Sequence, residues 1–358
     1  MSADSYFKSI IEAQGSLSLA HFMSIALSDS RHGYYTNNVP IGKDGDFITS
    51  PEISQMFGEL VGIWCATMWQ AMGEPEKIAV VEFGPGKGTL MKDFLRGTRN
   101  VKGFHKAVSV YLMEISNKLQ KIQQEVLNGE NVKVEWISDL SKIPEVPILF
   151  VANEFFDALP IHQFVKSDGE WLERLVTVEG GNLALVLSPT PTVKTSLIPK
   201  EYRDASDGSI YELCPAAIEI TKDIAGHINK FGGTGIIIDY GYDKNPLQDS
   251  LQAVREHSYK DILDNPGKTD ITSYVDFSAI RKTANDADIN AFGLVEQGDF
   301  LSAMGMEIRT KLLLKSADDK QKKEILSAVE RLVSSKQMGA MFKCMALTNK
   351  NLPIPLGF

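Results

Sequence analysis

Residues 77–97 read KIAVVEFGPGKGTLMKDFLRG. The run 78–83 is apolar except for Glu82, which predicts a buried strand. Gly84, Gly86 and Gly88 follow in GxGxG spacing, and an amphipathic helical segment comes next. Strand, glycine turn and helix in that order open a Rossmann-like unit. Glycines there let the chain turn tightly and let backbone N–H groups approach a ligand at the helix N-terminus. The spacing is not the GxGxxG dinucleotide fingerprint, because the third glycine stands one place early. It is not a phosphate loop either, since Lys87 is followed by Gly88 and only then by Thr89. The acid two residues before the first glycine narrows the ligand. A carboxylate at Glu82 repels a pyrophosphate and disfavours a nicotinamide-dependent oxidoreductase, but it suits a ligand that carries an amino group. S-adenosylmethionine carries one.

Working outward, AVSVYLMEI predicts a second strand, SNKLQKIQQEVLNG a helix, NVKVEWIS a third strand and PILFVANEF a fourth. PAAIEITKDIAGHINKF and GTGIIIDYGY add a helix and a fifth strand. Strands that are apolar throughout and separated by helices indicate a parallel sheet covered on both faces. Ligands of such sheets sit at the carboxyl ends of the strands. Glu114 ends the second strand, where a carboxylate can accept both ribose hydroxyls, and Asp139 follows the third, placed to accept from an adenine amino group. The expected fold class is α/β: a Rossmann-like methyltransferase core with an N-terminal helical extension and an antiparallel β insertion. The expected division is an N-terminal helical and lid region over 1–76, a core over 77–160 and 211–358 with C-terminal additions, and the insertion over 161–210. In the first of these, SPEISQMFGELVG predicts a helix with Ser50 as N-cap and Pro51 at its first turn. The turn-rich stretch 243–275 is expected to be functional or lid-like. Two helices, over 275–288 and 318–335, and a last strand, MFKCMALT, close the chain.

The fourth strand runs into VANEFFDALP, residues 151–160. Carboxylates beside aromatic surface are costly unless something pairs with them. Glu154 and Asp157 are the expected acceptor-binding and proton-accepting groups. They suit a guanidinium, which is planar, cationic and presents five donors. Asn153 is positioned to hold the cofactor's amine through its amide oxygen, and Phe155 and Phe156 to stack on the acceptor or wall off water. NEFF resembles the [DN]PP[YF] pattern of amino-directed methyltransferases, without its prolines. The alternative is that Glu154 is a helix-starting acid and the Phe pair is core. In GDFITSPE, Asp46, Phe47 and Thr49 are expected in a loop that folds over the cofactor. His257, within REHSY, is a candidate substrate-side or general-base residue.

VEFGPGKGTLMKDFLR, YLMEIS, VANEFFDALPIHQF, IIIDYGY and GKDGDFITSPEISQMFGELVG together resemble the MidA-type methyltransferases, over nearly the whole chain. That family includes bacterial members and a mitochondrial respiratory complex I assembly factor. The resemblance implies an S-adenosylmethionine-dependent protein arginine methyltransferase and, through the mitochondrial member, symmetric dimethylation of an arginine on a complex I subunit. A non-catalytic assembly chaperone that keeps the cofactor fold, and a methyltransferase for a different acceptor, stay open.

Composition agrees. The 358 residues carry a formal net charge of −9, against general nucleic-acid binding. Cys65, Cys214 and Cys344 lack metal-ligand spacing and an even count, which fits a reducing compartment and no metal site. No stretch is apolar enough to span a bilayer. The N-terminus lacks the marks of a secretion signal or transit peptide, so the expectation is a cytoplasmic protein, or a matrix protein whose presequence lies outside this sequence. The expected partner is a protein substrate, with a homodimer open.

Overall fold

The computed structural model describes residues 3–39, 42 and 48–358. Its centre is an eight-stranded sheet whose main row is β1 (Ile78–Phe83), β2 (Val108–Met113), β3 (Lys133–Ile137), β4 (Ile148–Asn153), β5 (Gly233–Tyr242), β6 (Asn290–Glu296) and β7 (Phe342–Thr348), with the two-residue strand Val275–Asp276 paired to β5 off that row. The order across the sheet is β3-β2-β1-β4-β5-β7-β6. The first five of these are parallel. β7 runs antiparallel to both β5 and β6. The order reverses between β1 and β4, and a crevice at such a switch point is where open α/β sheets bind ligands.

Successive residues of a strand point to opposite faces. Val80, Val110, Val151 and Ile238 accordingly join one buried cluster, and Val81, Tyr111, Ala152 and Ile237 the other. With both faces covered, no position can be polar without a partner, and this is why these strands read as unbroken apolar runs. On the first face lie two helices, α1 (Gln55–Ala71) and α2 (Thr89–Thr98). They pack so closely that a Cβ on Gly62 would fall 2.8 Å from the Phe94 carbonyl oxygen.

The start of α1 differs from the expected one. Thr49, not Ser50, precedes a single turn over Ser50–Ile53. Ser54 then breaks the chain in extended geometry and caps α1, its hydroxyl accepting from Met56 N at 3.2 Å. One periodic stripe of apolar residues therefore covers two helical pieces, and Ser50 is released for another task described below. β6 was not expected: its alternation is interrupted by a bulge between Phe292 and Val295.

The predicted antiparallel insertion is present as His162–Ser167, Glu170–Glu179 and Asn182–Leu187, turning through Asp168-Gly169 and Gly180-Gly181 at positive φ. Ile210–Leu213 and the N-terminal Leu17–Ser18 pair into the same sheet. The stretch 243–275 forms a third small sheet from Gln252–Arg255, Ser258–Lys260 and Asp270–Thr272. No helix among the described residues is long and apolar enough to cross a membrane.

Candidate active site

A cavity of about 750 Å³ lies at the carboxyl ends of β1, β2, β4 and β5. That is a volume within the range of small-molecule sites, roughly 300–1,000 Å³. One side is built by the glycine loop. Gly84 and Gly86 have φ of 60° and 54°, a conformation that a side chain disfavours. Gly84 is constrained twice, since a Cβ there would come 2.9 Å from the Phe155 ring. Gly88 does not reach the cavity wall; it turns the chain into α2 and packs on Gln123.

Glu82 and Asn153 end adjacent strands and both line the cavity. Glu82 is only 3 % exposed. Its Oε2 and the Asn153 Oδ1 are buried acceptors without a hydrogen-bond donor among the described residues. Burial, reinforced by the nearby Glu114, pushes the Glu82 carboxyl up to about 8. A lone buried carboxylate and an unpaired amide oxygen leave exposed acceptor capacity that an ammonium group satisfies. The orphaned atoms therefore fit the amino group of S-adenosylmethionine. Glu114 is held from both sides: Oε1 accepts from Ser116 N at 2.7 Å and Oε2 from Gln123 Nε2 at 3.1 Å. Gln123 also donates to the Gly86 carbonyl at 2.7 Å, and its Oε1 accepts from Trp136 Nε1. It thus locks the glycine loop to the acid of β2. Nothing in the sequence marked Gln123, which reads as one polar residue on an amphipathic helix. Asp139 is solvent-exposed and its Oδ1 caps the turn Leu140–Lys142; the cavity wall at β3 is made by its neighbour Ser138.

The other side of the cavity is acidic. Glu154 has a φ of 50°, so β4 ends in a kink and no helix starts there. Its Oε1 accepts from Ser50 N at 2.9 Å and from Asn153 Nδ2 at 3.1 Å. Tyr240 on β5 is the neighbour that most offsets the effect of burial on Asp157. Behind them Asp239 is fully buried, its Oδ2 accepting from Phe156 N at 3.0 Å and Asp157 N at 3.2 Å and its Oδ1 from Tyr240 N at 2.9 Å. Across the same cavity Tyr35 donates to Asp270 at 2.7 Å. Burial raises the Glu154 carboxyl to about 7 and the Asp157 carboxyl to about 6. Asp239 is pushed well up by burial and by Asp157 and Glu154. Among the described residues, no Lys or Arg forms an ion pair with Glu82, Glu114, Glu154, Asp157 or Asp239.

The two phenylalanines part company. Phe155 lines the cavity, 5.4 Å from Phe83 between ring centres. Phe156 is buried in the core cluster against which Phe155 also packs and does not line the cavity, so it does not stack on an acceptor; the two ring planes meet at 87°. Thr49 is in the cavity wall, whereas Asp46 and Phe47 lie outside the described residues. His257 is exposed in the two-residue turn between Arg255 and Ser258 and lines the rim, away from the buried acids.

A profile of the family described as "S-adenosyl-L-methionine-dependent methyltransferase" matches residues 60–295. The Danio rerio protein arginine methyltransferase NDUFAF7, mitochondrial, is 35 % identical over 368 residues, covering 96 % of this chain and 86 % of its own. Its Homo sapiens counterpart is 35 % identical over 364 residues, covering 94 % and 81 %. Among solved structures, a Burkholderia thailandensis protein bound to S-adenosyl-homocysteine superposes with a TM-score of 0.85 at 24 % identity, over 99 % of this chain and 93 % of that one, which shows the shared fold. A strand order with one antiparallel member, a glycine loop flanked by unpaired buried acceptors, and relatives spanning almost the full length agree on one conclusion: this chain belongs to the MidA-type family of S-adenosyl-L-methionine-dependent methyltransferases.

Proposed function

We propose that the chain methylates an arginine side chain of a protein substrate. The observation that carries this is the pair of carboxylates Glu154, half-buried, and Asp157, buried, which face the cavity with no lysine or arginine ion-paired to them among the described residues. A guanidinium supplies the missing positive charge and enough donors for both groups. The relatives' name, protein arginine methyltransferase, supports the same acceptor. When bound, S-adenosylmethionine supplies an electrophilic methyl group. Glu82 and Asn153 would hold its amino group and Glu114 its ribose. Glu154 and Asp157 orient the guanidinium and take up the proton that its nitrogen loses as the N–CH₃ bond forms. A respiratory complex I subunit as the substrate, and a matrix or cytoplasmic site of action, complete the proposal.

The test is mass spectrometry of proteins from cells with and without this gene, together with labelling by tritiated S-adenosylmethionine in extracts of the cells that lack it. Methylarginine lost in the first and regained in the second is the expected result. Label found on lysine, histidine or small molecules instead would overturn the arginine assignment.

Two further outcomes follow from the geometry. Gly84→Val should weaken S-adenosylhomocysteine binding more than about tenfold by calorimetry, because the side chain meets both a positive φ and the Phe155 ring. Activity should also rise with pH. Both acceptor carboxylates have raised values, about 7 and about 6, so the charged forms that clamp a guanidinium accumulate as pH climbs through that window. An increase in kcat/KM between about pH 5.5 and 8 is expected, and a flat profile would remove these two groups from the reaction.

A further inference from the structure

The acidic side of the cavity is approached past an apolar wall. Val254 and Tyr259 come from the hairpin that follows β5, and Met338, Met341 and Phe342 from the turn that leads into β7. Both elements converge on Tyr240, the neighbour of Asp157. Phe342 pairs with Tyr240 across β5 and β7, with ring centres 5.5 Å apart, and Gln252 at the hairpin base reaches the Tyr240 hydroxyl. The wall therefore belongs to the acceptor side and not to the glycine loop. Its outer residues are open to solvent: Tyr259 is 78 % exposed and Met341 56 %. Large apolar side chains at the rim of an otherwise acidic cavity are unusual for a free surface and mark a contact site. Methionine and tyrosine are also the residues that adapt to, or anchor, a bound chain.

Resting on the arginine reading above, we infer that this rim docks the substrate segment itself and selects an arginine flanked by apolar residues. The charges around it narrow the class from both sides. Acidic neighbours of the target arginine would meet Asp157, Asp270 and the chain's net negative charge. Basic neighbours would be drawn to the acids inside the cavity, where they compete with the target arginine, and on the wall itself they would meet Arg331. Apolar neighbours meet neither penalty and bury Tyr259 and Met341. The selection is thus made outside the reacting centre, by residues that never touch the transferred methyl.

The test uses the full chain, S-adenosylmethionine and synthetic peptides that hold one central arginine and differ only in whether leucine, glutamate, glycine or lysine flanks it. The leucine-flanked peptide should show a kcat/KM at least about tenfold above the others, the scale of one buried anchor. Tyr259→Ser combined with Met341→Ser should raise KM for that peptide by about tenfold, with kcat and S-adenosylhomocysteine affinity within about twofold. Equal kcat/KM across the series, a loss confined to kcat, or no methylation of any peptide would each overturn the inference. A change in oligomeric mass with KM unaltered would assign the rim to a second copy of the chain and overturn it too. A leucine-flanked lysine peptide methylated in place of the arginine peptide would instead defeat the arginine reading and leave the rim's selectivity standing.

Discussion

Glu82→Gln should lower the affinity for S-adenosylhomocysteine by about 100-fold while making the ligand-free chain more stable near pH 8. The loss follows from removing the charged partner of an ammonium group inside a cavity wall, where such hydrogen bonds contribute about 1.5–3 kcal/mol. The gain has the opposite origin. Burial and Glu114 hold the folded Glu82 carboxyl near 8, above its usual value. A group raised in the folded state destabilises that state as it ionises: the penalty is absent below the unfolded value, about 4.3, and is fully developed above about 8. Replacement by the isosteric amide removes the penalty, so Tm should rise at about pH 8 and be unchanged near pH 4. Ligand has the same effect on the parent chain, since pairing with an ammonium relieves the same carboxylate. Thermal shift and calorimetry on one preparation check both signs. Parallel losses of affinity and stability would show that Glu82 merely supports the fold.

The second large effect is expected at the acceptor side. Glu154→Gln with Asp157→Asn should reduce kcat by about 10³-fold, the middle of the range for removing positioned acid–base groups, and leave S-adenosylhomocysteine affinity within about threefold. The substitutions are chosen to keep the local scaffold. Glutamine retains an oxygen to accept from Ser50 N and Asn153 Nδ2, and asparagine keeps the size of the side chain and an oxygen beside Tyr240. Asp239 continues to hold the loop backbone at Phe156 and Asp157. What disappears is negative charge and proton-accepting capacity. If cofactor affinity fell along with kcat, these carboxylates would belong to the cofactor half of the cavity, and the division into two sides would be wrong.

Several features of the fold are legible from neighbouring residues alone. Apolar strands at 78–83 and 148–153, the GxGxG turn and the helix behind it are local patterns, set by side-chain period and backbone freedom. Glu82 and Glu114 were legible for the same reason: an acid at the end of an apolar strand conflicts with its surroundings unless a ligand answers it. The insertion announced itself by turn residues, with Asp168-Gly169 and Gly180-Gly181 at positive φ.

Other features depend on groups far apart in the chain. Ser50 donates to Glu154 from 104 residues away, and Tyr35 to Asp270 from 235 away. No period or motif records such pairs. Asp239 and Tyr240 were visible as a strand end, but their task of fixing Asp157 depends on β5 lying beside β4. Phe155 and Phe156 were indistinguishable until the kink at Glu154 sent one to the cavity and the other to the core. By itself the sequence determined an α/β methyltransferase fold and marked Glu82 and Glu114 as strand-end acids, because secondary structure and strand-end conflicts are written within a few residues. Only the tertiary structure decided which carboxylates lose their water together, and it is this shared burial, not their presence in the chain, that raises their pKa values.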